Sequence, residues 1–259
     1  MSLPQQRPDT QKGLTLHKPP VFKTASGKLY TATPGQRIEL DDVERLVDIC
    51  IVFDTTGSMS NKIEGLVRCM VEFVGELDRL KLSWRFSVVP FGDLTIPGDR
   101  VVGDLPFVTS HHAAEQMIKS LPRFNGGGNI GESSLEAMQA AMAKPYRDGA
   151  VKVLVVLTDD YPLTSPQLAP ATIGQELRRR EFVCFVASEP NQGYEPWAKE
   201  NAGTWYPIGS SVDISEMLAF LKGLLKEVAK VSKAIFVFGG GSVNNYILTE
   251  AERRKSLGS

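Results

Sequence analysis

Cysteine and net charge are both scarce in this chain, and each scarcity excludes a class of protein. Among 259 residues there are three cysteines, Cys50, Cys69 and Cys184, each inside an apolar segment. An odd, scattered count with no metal-ligand spacing argues against a disulfide framework or a zinc site. A formal net charge of −1 gives no electrostatic case for nucleic acid or for an anionic membrane surface. Long apolar runs are absent too, since nothing approaches the roughly 18 residues a bilayer span requires. The N-terminus, MSLPQQRPDTQKG, is polar and contains proline rather than a basic stretch followed by an apolar one. It reads as no secretory signal, and a cytoplasmic location is the expectation. Two of the three histidines, His111 and His112, stand together without Cys or carboxylate neighbours at ligand spacing.

The chain does have enough apolar residues, 42%, to build one sizeable core, and its length leaves no room for a second full domain. Ile49, Cys50, Ile51, Val52 and Phe53 show no polar alternation, the pattern of a strand buried on both faces of a parallel sheet. Asp48 interrupts only the entry of that strand, and Asp54 marks its carboxyl end. Beyond it, strand and helix patterns alternate as in a doubly wound α/β sheet. A helix is expected over residues 60–80, then a strand over 84–89 and a short edge strand near 105–108. Helices follow at 110–121 and 131–143, with a strand between 151 and 157. The rhythm continues with a helix at 169–180, a strand at 182–187, a short helix at 195–201, a short strand at 204–208 and a long amphipathic helix over 212–231. This makes six strands, mostly parallel, with helices on both faces.

The flanks read differently. Residues 1–19 look disordered, and 20–46 carry a small hairpin over 21–33 around Ala25-Ser26-Gly27-Lys28. The compact domain is expected over 47–231. Residues 232–259 hold Ile235-Phe236-Val237-Phe238, which reads as an extra strand or docking segment, followed by a tail.

In open α/β sheets ligands bind outside the carboxyl ends of the strands, which places Asp54, Thr56 and Ser58 where a site is expected. Their hard oxygens at alternate positions suit Mg²⁺ or Mn²⁺. Asp54-Thr55-Thr56-Gly57-Ser58 resembles the Asp-x-Ser/Thr-x-Ser signature of the metal-ion-dependent adhesion site in von Willebrand factor A domains. Two further pieces follow in the order of that family. Asn129 comes after Gly126, Gly127 and Gly128 in FNGGGNIGES, which is similar to the GGGDGPE turn of intracellular and kinase-associated members. Asp159 ends the apolar run that starts at Val151. Thr56 stands where Ser is commoner and Asn129 where Thr is.

The resemblance implies a strand order of 3-2-1-4-5-6 with an antiparallel edge strand, and a metal site of Asp54, Thr56, Ser58, Asn129 and Asp159. It also implies capture of a partner's Glu or Asp through the metal, as in bacterial cytoplasmic adaptors or scaffolds working beside AAA+ ATPases, kinases or defence complexes. Asp93, Glu132 and Asp160 lie near the same edge as candidate supporting groups. The competing reading is enzymatic, because the same residues resemble the Asp-Lys-Thr-Gly-Thr loop of haloacid-dehalogenase-type phosphoryl-transfer enzymes, with Asp54 as nucleophile. Position 55 is Thr rather than Lys, and no Gly precedes Asp159. Binding without catalysis is therefore the expectation.

Overall fold

The computed structural model describes residues 21–23, 29–31, 46–77, 82–126, 131–165, 168–208 and 214–257. Its centre is a five-stranded, all-parallel sheet. The strands are β3 (Leu46–Asp54), β4 (Ser83–Phe91), β5 (Val151–Leu157), β6 (Phe182–Ser188) and β7 (Trp205–Pro207), in the order β4-β3-β5-β6-β7. β1 (Val21–Lys23) and β2 (Leu29–Thr31) pair antiparallel with each other, which is the hairpin read from the sequence. Residues 1–20 and 32–45 lie outside the described residues, so the reading of the first nineteen as disordered is left where it stood.

Side chains alternate across β3, and the two faces feed two cores. Ile49, Ile51 and Phe53 pack with Met70, Phe73 and Val74 of α1 (Ser60–Leu77) and with Met117 and Ile118 of α2 (His111–Lys119). Cys50 and Val52 pack with Leu135 and Met138 of α3 (Ser134–Met142), Ile173 of α4 (Pro170–Arg179) and Trp197 of α5 (Glu195–Lys199). All three cysteines are free and buried; burial pushes the Cys50 thiol up to about 12, so it is inert at neutral pH.

The structure corrects the sixth strand. Residues 105–108 make only a single antiparallel bridge, Phe86 to Val108, with N–H···O distances of 2.8 Å in both directions. Pro106 has no N–H to extend the ladder. Two residues past the bridge, the Ser110 hydroxyl accepts the Ala113 N–H at 3.3 Å and caps the start of α2.

The structure also corrects the C-terminal strand. α6 runs from Ile214 to Gly239, straight through Ile235 and Phe236, and the expected tail is α7 (Val243–Leu257). Leu224, Val228, Val231 and Ile235 continue one apolar stripe at helical spacing into the core shared with α1. Packing on that stripe outweighs the strand propensity of a short aromatic and β-branched run. Gly240 and Gly241, at φ +59° and +88°, then close the helix in left-handed conformations, with the Gly241 N–H on the Ile235 carbonyl at 3.0 Å. Ile235→Ala is therefore expected to cost about 2–5 kcal/mol of unfolding free energy, read by urea denaturation, because Ile235 is fully buried. A docking segment with no place in the core would lose almost nothing.

Candidate metal site

At the carboxyl end of β3 the chain turns sharply through Asp54, Thr56 and Ser58 into α1. Asp54 is fully buried, and both its oxygens are engaged. Oδ1 accepts the Thr56 N–H at 3.0 Å and the Thr56 hydroxyl at 2.6 Å, while Oδ2 accepts the Thr158 hydroxyl at 2.8 Å. The Ser58 hydroxyl donates to Asp159 Oδ1 at 2.9 Å, so residues 101 apart in sequence meet just beyond β3 and β5. Asp54, Thr56, Ser58 and Asp159 are thus brought together as the sequence implied. Asn129, with residues 127–130, lies outside the described residues; Gly126 and Gly131 on either side of that segment have φ of +71° and +111°. Thr158 escaped the sequence reading, although Thr-Asp-Asp after an apolar strand is a visible signal.

The next shell holds the loops in place. Asp99 accepts the N–H groups of Asn125 at 3.0 Å, Gly126 at 2.9 Å and Asp93 at 3.2 Å, clamping the start of the glycine turn. The Gly57 N–H bonds the Asn125 carbonyl at 3.2 Å, and a Cβ at Gly57 would come within 2.7 Å of that oxygen, so glycine is required for this approach. Behind Asp159, Gln192 Nε2 donates to its carbonyl at 2.7 Å, and the Tyr194 hydroxyl donates to the Asp160 carbonyl at 2.9 Å.

Two features test whether a hard divalent cation fits. Thr56 and Ser58 both donate their protons to carboxylates, yet their oxygens stand 3.1 Å apart. No proton is left to lie between them, so lone pairs face each other. Neighbouring oxygens around an octahedral Mg²⁺ at about 2.1 Å are separated by about 3.0 Å, close to what these two hydroxyls show. Charge is the second feature. Burial, and then the nearby Asp159, push the Asp54 carboxyl up to about 6 against the lowering effect of its hydrogen bonds to Thr56 and Thr158. Glu132, buried beside the same loops, is pushed up to about 8 by burial and then by Asp54, Asp93, Asp160 and Asp99. The charged groups that act most strongly on Glu132 are all acids, and a cation is what such a site calls for. Among the described residues no three Asp, Glu, His or Cys side chains close into a cage. The donors are two carboxylates and two hydroxyls, which suits an ion that keeps open positions.

A pH prediction follows from Asp54. Its acid form is favoured by folding, so its stability cost is absent below 3.8, grows as pH rises from 3.8 to about 6, and is complete above that. In EDTA, Asp54→Asn is expected to be more stable than wild type at pH 8 by on the order of 3 kcal/mol and equal to it near pH 3. Urea unfolding at the two pH values checks this.

The family of von Willebrand factor type A domains matches residues 48–194, more than half of the chain. The chain belongs to that family. Among solved structures it is similar to a von Willebrand factor type A protein from Catenulispora acidiphila, at 21% identity and a TM-score of 0.52. That match covers 74% of this chain and 43% of the other, so the likeness is one of fold, and the chain spans less than half of its relative. Comparison with curated proteins gives no match. Domains of the von Willebrand factor A family generally mediate protein–protein interaction. Among the described residues no helix is long and apolar enough to cross a membrane. Nothing favours the phosphoryl-transfer alternative: the Asp54 carboxylate is enclosed and its oxygens are both hydrogen-bonded.

Proposed function

We propose that this von Willebrand factor A domain binds one Mg²⁺ or Mn²⁺ and uses it to capture an acidic side chain of a protein partner, serving as a non-catalytic adaptor in a cytoplasmic assembly. The run of close contacts Asp54–Thr56–Ser58–Asp159, two hydroxyl-to-carboxylate hydrogen bonds with the hydroxyl oxygens 3.1 Å apart, carries this reading. Thr56 and Ser58 offer hydroxyl oxygens whose protons are already committed to carboxylates. Asp54 and Asp159 orient them and supply negative charge, and Asn129 is placed by sequence to complete the set. The ion, when bound, supplies an electrophilic position for a carboxylate oxygen. Two of the large apolar side chains that remain exposed, Leu94 and Tyr161, flank the loops at 48% and 45% exposure and offer contact area for a partner beside the site.

The test is affinity capture with wild type and Asp54→Ala, each in Mg²⁺ and in EDTA, followed by Ala substitution of the acidic residues of whatever is retained. Retention that needs Mg²⁺, needs Asp54 and is lost with one partner Glu or Asp supports the reading. Retention indifferent to metal and to Asp54 overturns it.

A further inference from the structure

The loop between β6 and α5 supplies none of the candidate ligands, yet it reaches the metal site with two buried side chains. Gln192 and Tyr194 are 4% and 0% exposed, while Asn191 and Gly193 beside them face solvent. Asn191 and Gly193 stand in left-handed conformations, at φ +66° and +85°, and Gln192 between them turns inward. Gln192 Nε2 donates to the Asp159 carbonyl at 2.7 Å, and the Tyr194 hydroxyl donates to the Asp160 carbonyl at 2.9 Å. Two consecutive carbonyls of the loop after β5 are thereby held from outside that loop. The holding residues are themselves anchored. The Tyr194 ring packs edge-on against Trp197 with centroids 5.0 Å apart, and Trp197 Nε1 donates to the Pro170 carbonyl at 2.8 Å.

Gln192 is poorly used if its task is stability. Its Oε1 is buried and accepts no hydrogen bond among the described residues. An unpaired buried oxygen loses hydration without return, which offsets what the single amide hydrogen bond contributes. The bond it does make falls on the residue that receives Ser58, since Asp159 Oδ1 accepts the Ser58 hydroxyl at 2.9 Å. An aspartate side chain is short, so fixing its backbone carbonyl narrows where its carboxylate can stand. We infer that Gln192 and Tyr194 are positioning residues for Asp159, through which the loop after β6 sets how tightly the site holds its cation and how strictly it selects Mg²⁺ over Ca²⁺. Both roles rest on the metal reading of Asp54, Thr56, Ser58 and Asp159. Mg²⁺ demands near-ideal octahedral geometry, whereas Ca²⁺ accepts longer and more variable contacts, so a looser Asp159 penalises Mg²⁺ more. Groups that hold a ligand in place from behind commonly account for about tenfold or more of metal affinity.

The experiment is calorimetric titration of Mg²⁺ and, separately, of Ca²⁺ into the metal-free whole chain, paired with thermal unfolding in EDTA. Gln192→Met keeps the length of the side chain and removes both of its polar atoms. It is expected to bind Mg²⁺ about tenfold more weakly than wild type, to lose less affinity for Ca²⁺, and to melt in EDTA at least as high as wild type. Tyr194→Phe, which keeps the ring against Trp197, is expected to lower the ratio of Mg²⁺ to Ca²⁺ affinity in the same direction. A packing defect alone lowers the melting temperature in EDTA and leaves that ratio where it was. Unchanged Mg²⁺ affinity in Gln192→Met overturns the proposal, and so does an equal loss for the two ions. A Gln192→Met protein that melts well below wild type in EDTA overturns it as well, because the residue then serves stability. A wild type that binds no Mg²⁺, or binds it at a site indifferent to Asp159→Ala, overturns the metal reading itself and these roles with it.

Discussion

Asp48→Ala is expected to destabilise the protein by about 3–5 kcal/mol, lowering the melting temperature by roughly 10 °C. Asp48 is fully buried at the amino end of β3, the pole opposite the metal site. Arg85 grips it with Nε at 3.0 Å from Oδ1 and Nη2 at 2.6 Å from Oδ2. Arg147 does so from the other side, with Nε at 2.8 Å from Oδ1 and its backbone N–H at 2.7 Å from Oδ2. Arg147 also reaches the Ser83 carbonyl at 2.7 Å, so one carboxylate ties β3, β4 and the loop before β5 together. Removing it strands two largely enclosed guanidinium groups and a backbone donor at once. Urea unfolding measures the loss, and a change below about 1 kcal/mol contradicts the account. Metal affinity of the folded variant is expected to be unchanged.

Gly203→Ala is the second large effect. A Cβ on Gly203 falls 1.8 Å from the Cys184 carbonyl oxygen and 2.5 Å from its carbon, both backbone atoms of β6. No rotamer relieves that overlap, so the α5–β7 connection has to move off the sheet. The N–H of Cys184 bonds the Asn201 carbonyl at 3.1 Å and that of Val186 bonds Thr204 at 3.2 Å, so both bonds are lost with the movement. The expected cost is about 3 kcal/mol or more. Trp205, whose Nε1 donates to the Ser188 hydroxyl at 3.0 Å, reports the displacement as a shift in fluorescence during thermal unfolding. A variant that melts with wild type contradicts the close approach.

Much of this molecule is legible in its sequence because its strands are buried on both faces and therefore read as unbroken apolar runs. β3 ends at Asp54 and β5 at Leu157, so the positions of Asp54, Thr56, Ser58 and Asp159 at the strand ends follow from hydropathy alone. What remained hidden depends on long-range partners. Asp48 looks like a polar interruption until Arg85 and Arg147 arrive from 37 and 99 residues away. The bond from Thr158 to Asp54 spans 104 residues, and the clamp of Asp99 on Gly126 spans 27. The C-terminal segment misled for another reason. Ile235 and Phe236 carry strand propensity locally, but their burial belongs to the stripe begun at Leu224, and a helix twenty-six residues long satisfies both. The edge strand failed on Pro106, a residue plainly in view whose missing N–H limits pairing to one bridge.

The most direct test of the adhesion-site reading is calorimetric titration of Mg²⁺ into metal-free wild type, Asp54→Ala and Asp159→Ala at pH 7.5 or so, above the range in which Asp54 titrates. Wild type is expected to show saturable binding at a site that both substitutions remove, with all three proteins folded by circular dichroism. Mg²⁺ binding that persists unchanged in Asp54→Ala and Asp159→Ala contradicts it.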